Sequence, residues 1–421
     1  MTTRVVVVGA GAAGLMAAGF LAERGAAVHV LEKMQRSALK VRISGKGRCN
    51  ITNAMPLGDF IENYPGNGSF LYGALHRFSN QDCVRFFESL GVKTKVERGQ
   101  RVFPVTDDAD QVANALESFA RAKGAMIHYH HKVLGIERDP QGQLRGVTTL
   151  HQGKETFIPA GAVVVATGGL SYPGTGSTGD GLSFAKTLGH TIVAPRPALV
   201  PLRVEEKWVG GLSGLGLKNV RLTVHNPQGG KESYFGELLF AHFGLTGPIV
   251  LTASEQIGLW LARSGSSVRA SIDLKPALSE EQLDHRLLRD LEAFSRKQFR
   301  NALDQLLPKS LIPVIIEISG ISPEKVCHQI TKEERMRLRC VLKELPLVIS
   351  KTLPISAAIV TAGGVHVREV NPRTMESKKC KGVFFCGEVL DVHGITGGFN
   401  LQAAFSTGYC AAQGVELQQE R

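Results

Sequence analysis

The apolar positions of this chain change rhythm along its length. Near the start, Val5 to Val8 is an unbroken β-branched run after Arg4, the pattern of a parallel strand covered on both faces. A helical stretch from Leu15 to Arg24 follows, Gly25 ends it, and Ala26 to Leu31 reads as a second strand that stops at Glu32. A strand-like His131-Lys132-Val133-Leu134 and apolar runs at Ala162 to Ala166 and Gly382 to Cys386 extend the pattern. An Ala-rich helix from Leu401 to Ala412 closes it.

The middle of the chain differs. Pro195, Pro197 and Pro201 mark a boundary. Beyond it, Leu202-Arg203-Val204, Val220-Arg221-Leu222-Thr223-Val224 and Val268-Arg269-Ala270-Ser271-Ile272 alternate at the spacing of a small antiparallel β-domain. From Pro276 to Leu345 the spacing turns helical, and Ser279 to Gln282 and Thr331 to Glu334 resemble capping-box starts. Pro346 to Thr361 then returns the chain to its first domain. The expectation is an α/β fold: a first domain over residues 1–196 and 347–421, interrupted by a small antiparallel, barrel-like β-domain over 197–275 plus about 340–346 and by a helical insert over 276–339.

Between the first strand and helix lies Gly9-Ala10-Gly11-Ala12-Ala13-Gly14, a G-x-G-x-x-G. Gly9 permits the tight turn, Gly11 lets the backbone approach a pyrophosphate, and Gly14 lets helix and strand pack closely. The helix start offers unpaired N–H groups and positive dipole to that pyrophosphate. Glu32, at the end of the second strand, is placed to accept from ribose hydroxyls. Strand, glycine turn, helix, strand and terminal acid together specify a Rossmann-like dinucleotide site. The acid disfavours a 2′-phosphate, so FAD or NAD fits better than NADP. A second match, Gly174-x-Gly176-x-x-Gly179, is separated from its strand by Tyr172-Pro173 and lacks a following strand that ends in an acid. It is expected to line the entrance of the same site.

After Glu32 no acidic residue occurs until Asp59, while Lys33, Arg36, Lys40, Arg42, Lys46 and Arg48 all do. Embedded there is Ile43-Ser44-Gly45-Lys46-Gly47-Arg48-Cys49-Asn50-Ile51-Thr52-Asn53, a polar, glycine-rich loop expected across the carboxyl edge of the sheet, beside the cofactor.

Composition narrows the class. With 421 residues, 43% of them hydrophobic and 21% charged, the chain is neither disordered nor fibrous and can bury a core without staples. Its seven cysteines are scattered, with no C-x-x-C, so a disulfide framework or structural zinc is not expected, and a reducing, cytoplasmic setting is. The charge-free run from Val5 to Ala22 is about the minimum length of a membrane span. Its spaced glycines and the Glu23-Arg24 that follows fit a buried strand entering a helix instead, so no membrane partner is expected. The 49 Lys and Arg against 38 Asp and Glu give +11, which points to a phosphate-bearing partner or to nothing beyond an ordinary basic enzyme.

The loop S-G-x-G-R-C-N-x-T-N, Ser44 to Asn53, resembles the signature of the BaiN/RdsA family of FAD-dependent oxidoreductases, which includes aminoacetone-oxidase-like members. Ala166-Thr167-Gly168-Gly169 with Gly174 to Gly181 fits the same family. So do Gly236 to Pro248, and Gly387-Glu388-Val389-Leu390-Asp391 with Gly397 to Gln402. The resemblance implies FAD as cofactor, with Glu32 on the adenosine ribose and the backbone of Val133 on adenine. It implies that Lys40, Ser44, Gly45 and Asn50 line the flavin site, and that Asp391, Asn400 and Leu401 close over the ribityl chain and ring. Lys33, Arg48, Thr167, Gly168, Gly169, Gly387, Glu388 and Gly398 complete the expected cofactor set. Where the family commonly carries an Arg-Lys pair, this chain has Leu39-Lys40.

No Ser/His/Asp order, metal-ligand spacing or paired carboxylates stand out, so the flavin is expected to carry the reaction without a metal. The protein must then hold a substrate carbon about 3–3.5 Å from the flavin and place a proton donor opposite. The candidates are His242 and Cys49, with Tyr172 as a third. The resemblance implies either reduction of a C=C conjugated to a carbonyl, in a bile acid or in a uridine of 23S rRNA, or oxidation of a small amine. The charge favours the rRNA uridine, with NAD(P)H as a transient electron donor or a separate reductase partner. A flavin-bearing RNA-binding or redox-sensing module is the non-enzymatic alternative. Arg335, Arg337, Arg339 and Lys343 lie partly on one helical face, either RNA-facing or merely solvated. The oligomeric state is not legible.

Overall fold

Four consecutive valines, Val5 to Val8, are at most 5% exposed because their strand, Arg4–Val8, lies at the centre of a five-stranded parallel sheet. In spatial order the sheet runs Val383–Phe385, Ala162–Val165, Arg4–Val8, Ala27–Leu31 and Met126–His128. This is a computed structural model, and it describes residues 2–417. The helix after the first strand, Ala12–Glu23, is buried on nearly every side, packed against the helices Ala109–Ala122 and Phe399–Gly414. That burial explains its charge-free sequence. No helix among the described residues is long and apolar enough to cross a membrane.

The chain divides into two units, the first ending at Pro197 and resuming at Ala358, the second being Ala198–Ala357. Besides the parallel sheet, the first unit carries two small antiparallel sheets. One joins Lys132–Arg138, Leu144–His151 and Lys154–Pro159; the other joins Thr52–Asn53, Arg101–Pro104 and Thr94–Glu97.

The second unit is a closed six-stranded antiparallel barrel of Leu202–Val204, Gly244–Thr246, Lys231–Ala241, Gly216–His225, Val268–Asp273 and Leu345–Thr352. Alternate residues such as Leu222, Val224, Ala270, Ile272, Leu347 and Ile349 fill it. Both expected capping boxes are present, Ser279 with Gln282 and Thr331 with Glu334.

Two boundaries differ from the sequence reading. The return expected at 347 falls inside Leu345–Thr352, which closes the barrel by pairing with both Val268–Asp273 and Leu202–Val204. The first unit therefore resumes at Ala358. The helices expected as a separate insert over 276–339 bury Leu283, Leu287, Leu338 and Leu342 in the same apolar core as the barrel strands, and the last of them runs on to Lys343.

Candidate functional site

The carboxyl ends of four parallel strands open into one cavity, lined in turn by Gly9 to Ala13, Glu32 and Lys33, Ala166 to Gly168, and Cys386 to Glu388. Its empty space is about 1430 Å³, part of it open to solvent. Gly9 makes the turn at φ +100°, where a Cβ would sit 2.7 Å from the Ala166 carbonyl oxygen. A Cβ on Gly14 would overlap the Gly9 carbonyl. These two glycines thus lock the strand end to the helix, and Gly14 itself does not face the cavity.

Gly11 caps the helix without a side-chain hydrogen bond, and its first turn holds no acidic residue. The N–H groups of that turn and the helix dipole are left to whatever fills the cavity. The Glu32 carboxylate is 8% exposed and fixed at both ends: Ala10 N–H donates to Oε2 and Met34 N–H to Oε1, each at 2.8 Å.

A polar network stands among the other lining residues. Lys40 Nζ donates to Ser171 Oγ and to Glu388 Oε2, both at 2.6 Å. Ser171 Oγ donates to Glu388 Oε1 at 2.7 Å, and Thr361 N–H to the same oxygen at 2.9 Å. Thr361 Oγ1 in turn accepts from the backbone of Leu170 and Ser171. Lys33 pairs with Asp180 at 2.7 Å.

Ser44, Val133, Thr167, Gly168, Gly387, Asn400 and Leu401 also line the cavity, as do Thr175, Gly176 and Ser177 of the second glycine segment. Other expected cofactor residues do not. Gly45 packs on Asn50 and Phe103, and Gly169 on Thr361 and Glu388. Gly398 is the left-handed cap of the last helix, and Asp391 accepts from Asn67 at 2.9 Å. Arg48 is drawn away into ion pairs with Glu97 and Asp107. Asn50 lies behind the Ser44–Gly47 loop, with its Oδ1 buried and without a hydrogen-bond partner.

Of the acid candidates, Cys49 is fully buried and does not line the cavity; burial pushes its thiol up to about 12, although the Ser44 hydroxyl pulls the other way. Tyr172 is 38% exposed and sits at φ +50°. His242 belongs to the second unit, exposed in the turn between Lys231–Ala241 and Gly244–Thr246, its ring 5.0 Å from that of Phe243.

The basic helical face is spent internally. Arg335 grips Asp284 with two hydrogen bonds, Arg339 pairs with Glu280, Lys343 with Asp273, and Arg337 donates to Ser319 O. Among the described residues no group of three His, Cys, Asp or Glu is placed to hold a metal, and all seven cysteines are free.

Sequence reasoning missed Ser171 and gave Thr361 and His131 no site role, although all three contribute to the cavity or its network. It quoted Asp180 without giving it a role. The chemistry of the cavity fits a dinucleotide flavin: an uncapped helix start for a diphosphate, a fixed carboxylate for a ribose, apolar walls and a held ammonium.

Residues 3–414 match the family model described as HI0933-like protein Rossmann domain. The chain is 31% identical over 416 residues, 98% of each chain, to a Haemophilus influenzae protein named ribosomal RNA dihydrouridine synthase. It is 30% identical over 413 residues, 97% of this chain and 98% of the other, to a 3-dehydro-bile acid delta(4,6)-reductase of Clostridium scindens. Among solved structures, a 3-ketosteroid-delta4-(5alpha)-dehydrogenase from Rhodococcus jostii shares the fold with a TM-score of 0.54 at 15% identity, covering 98% of this chain and 96% of that one.

Proposed function

Since this chain belongs to the HI0933-like Rossmann-domain family of FAD-dependent oxidoreductases, we propose that it is an NAD(P)H-driven reductase that saturates the 5,6 double bond of a uridine in 23S rRNA. The observation that carries the reading is the likeness, over 98% of both chains, to a protein named for rRNA dihydrouridine synthesis. The bile-acid reductase is almost as similar, and its name denotes the same chemistry, saturation of a double bond conjugated to a carbonyl. Net charge helps choose between the two readings. A steroid needs no basic protein, whereas RNA offers a phosphate at every nucleotide, and this chain carries +11.

In this reading the cavity holds FAD, which would supply the two-electron hydride chemistry that side chains lack. The uncapped N–H groups after Gly11 bind the diphosphate. Each Glu32 oxygen already accepts one backbone N–H and keeps a lone pair for a ribose hydroxyl. Val133, which lines the cavity together with His131, would meet the adenine. Lys40, fixed by Ser171 and Glu388, would offer the flavin a held positive charge. The α-carbon of the reduced bond needs a proton. Cys49, buried and with its thiol raised to about 12, is a poor source. His242, the other candidate read from the sequence, is the source we propose.

The test is anaerobic. NADH or NADPH is expected to bleach the bound flavin, and an unmodified 23S rRNA fragment to restore its colour with formation of dihydrouridine. Restoration by a steroid enone and not by RNA would transfer the activity to the small-molecule reading.

A further inference from the structure

Of the six cations between Lys33 and Arg48, five have carboxylate partners: Lys33 with Asp180, Arg36 and Arg42 with Asp110, Lys40 with Glu388, and Arg48 with Glu97 and Asp107. Lys46 is the sixth. It is exposed, and no ion pair holds it among the described residues. Its backbone is in the left-handed region, φ +60° and ψ +42°, directly after Gly45 at φ +57° and before Gly47 at φ +82°. Glycine adopts that conformation freely and an L-residue does not. A loop with glycine on both sides thus keeps a strained lysine between them. Strain of this kind collects where a side chain is needed in one place.

The loop starts beside the cavity. Ser44, two residues before Lys46, lines it, and Cys49 N–H donates to Ser44 O at 3.0 Å, closing the loop into a fixed turn. The loop rests on Phe103, whose ring also carries the guanidinium of Arg48 at 4.2 Å and of Arg101 at 5.8 Å. Lys46 is therefore an exposed ammonium on a fixed turn, two residues along the chain from the cavity lining.

We propose that Lys46 reads phosphate: its ammonium binds a phosphodiester oxygen of the RNA strand beside the nucleotide that enters the cavity. The inference rests on the rRNA reading above. A ligand with its reacting ring inside and its charge outside needs a cation at the rim, whereas a ligand wholly inside does not.

The experiment compares wild type, Lys46→Gly, Lys46→Arg and the surface control Lys154→Gln, all with FAD bound. Binding of a 23S rRNA fragment is measured against salt, with KM and kcat for its reduction. Lys46→Gly relieves the strain, so its thermal midpoint should not fall and its flavin should stay bound. Its salt slope should drop by about 0.7–0.9, one phosphate contact. KM for RNA should rise 5- to 10-fold, with kcat within twofold of wild type. Lys46→Arg should behave as wild type and Lys154→Gln should change neither slope nor KM. The proposal is overturned by an unchanged slope in Lys46→Gly, by an equal loss in Lys154→Gln, or by an effect confined to KM for NADPH. Wild type that reduces no 23S uridine would sink the rRNA reading itself, a different outcome from wild type that reduces it with Lys46→Gly its equal.

Discussion

Lys40 and Glu388 are 348 positions apart in sequence, and their side chains meet at 2.6 Å in the wall of the cavity. The contact ties the short helix Leu39–Ile43, after the second strand, to the turn after the last strand of the parallel sheet. Ser171, fully buried, and Thr361 complete the tie from two further segments. Four distant pieces of chain thus converge on one carboxylate, that of Glu388.

Both partners are partly exposed, so the pair contributes only about 1 kcal/mol to stability. Its larger effect is to hold Lys40 in place. Glu388→Gln is expected to lower the thermal midpoint by roughly 2–4 °C, while FAD dissociates about tenfold more readily and turnover drops by a similar factor. Flavin fluorescence on dilution reads the first and steady-state turnover the second. An unchanged FAD affinity would remove Lys40 from the cofactor site.

Two glycines of one motif should fail differently. A Cβ on Gly11 meets nothing within 4 Å, and its φ of −80° suits any residue. Gly11→Ala should fold with its thermal midpoint nearly unchanged yet lose FAD affinity at least tenfold, since the methyl group stands at the helix start that faces the cavity. Gly14→Ala drives a methyl into the Gly9 carbonyl and should lower the yield of folded protein, with or without FAD. Differential scanning fluorimetry beside flavin content separates the two.

What was legible in the sequence was what depends on local spacing. The glycine turn, the strand before it and Glu32 lie within thirty residues, and their geometry follows from that order. Pro346 suggests a boundary, yet the barrel runs on to Thr352. The proline lies in the last barrel strand before that strand meets Leu202–Val204, a locally unpaired edge where the missing N–H costs little, while Leu345, Leu347 and Ile349 point inward. Lys40 and Arg48 look alike in composition, yet one is held in the cavity and the other is claimed by Glu97 and Asp107. Only tertiary contacts decide between them. Ser171 and Thr361 carry no sequence signal, as short polar residues in apolar segments whose partners come from elsewhere.

The proton donor should separate by substitution. His242→Asn is expected to lower kcat by 10²-fold or more with FAD retained. Cys49→Ala should keep kcat within a few-fold. Rapid-quench measurement of dihydrouridine formation checks both, and a large loss in Cys49→Ala alone would exchange their roles.

Cys49 also predicts an alkaline effect on stability. Burial raises its thiol from about 9 to about 12 in the folded chain. Below pH 9 the thiol is neutral whether the chain is folded or not, so its contribution is constant. Above pH 9 the unfolded chain releases the proton and the folded chain does not, so stability falls as pH rises toward 12, at up to about 1.4 kcal/mol per unit. Cys49→Ala removes that slope. Urea unfolding at pH 8 and pH 10 should show the gap between the variant and wild type narrowing by about 1 kcal/mol at the higher pH. A constant gap would mean the thiol ionises in the folded protein as readily as in the unfolded one.

The central claim, reduction of a uridine in 23S rRNA, is tested most directly by mapping dihydrouridine along that RNA in a strain lacking this protein and in the same strain with the gene restored. The account predicts that dihydrouridine disappears from one position and returns with the wild-type gene but not with the His242→Asn form. A dihydrouridine map identical in all three strains would contradict it.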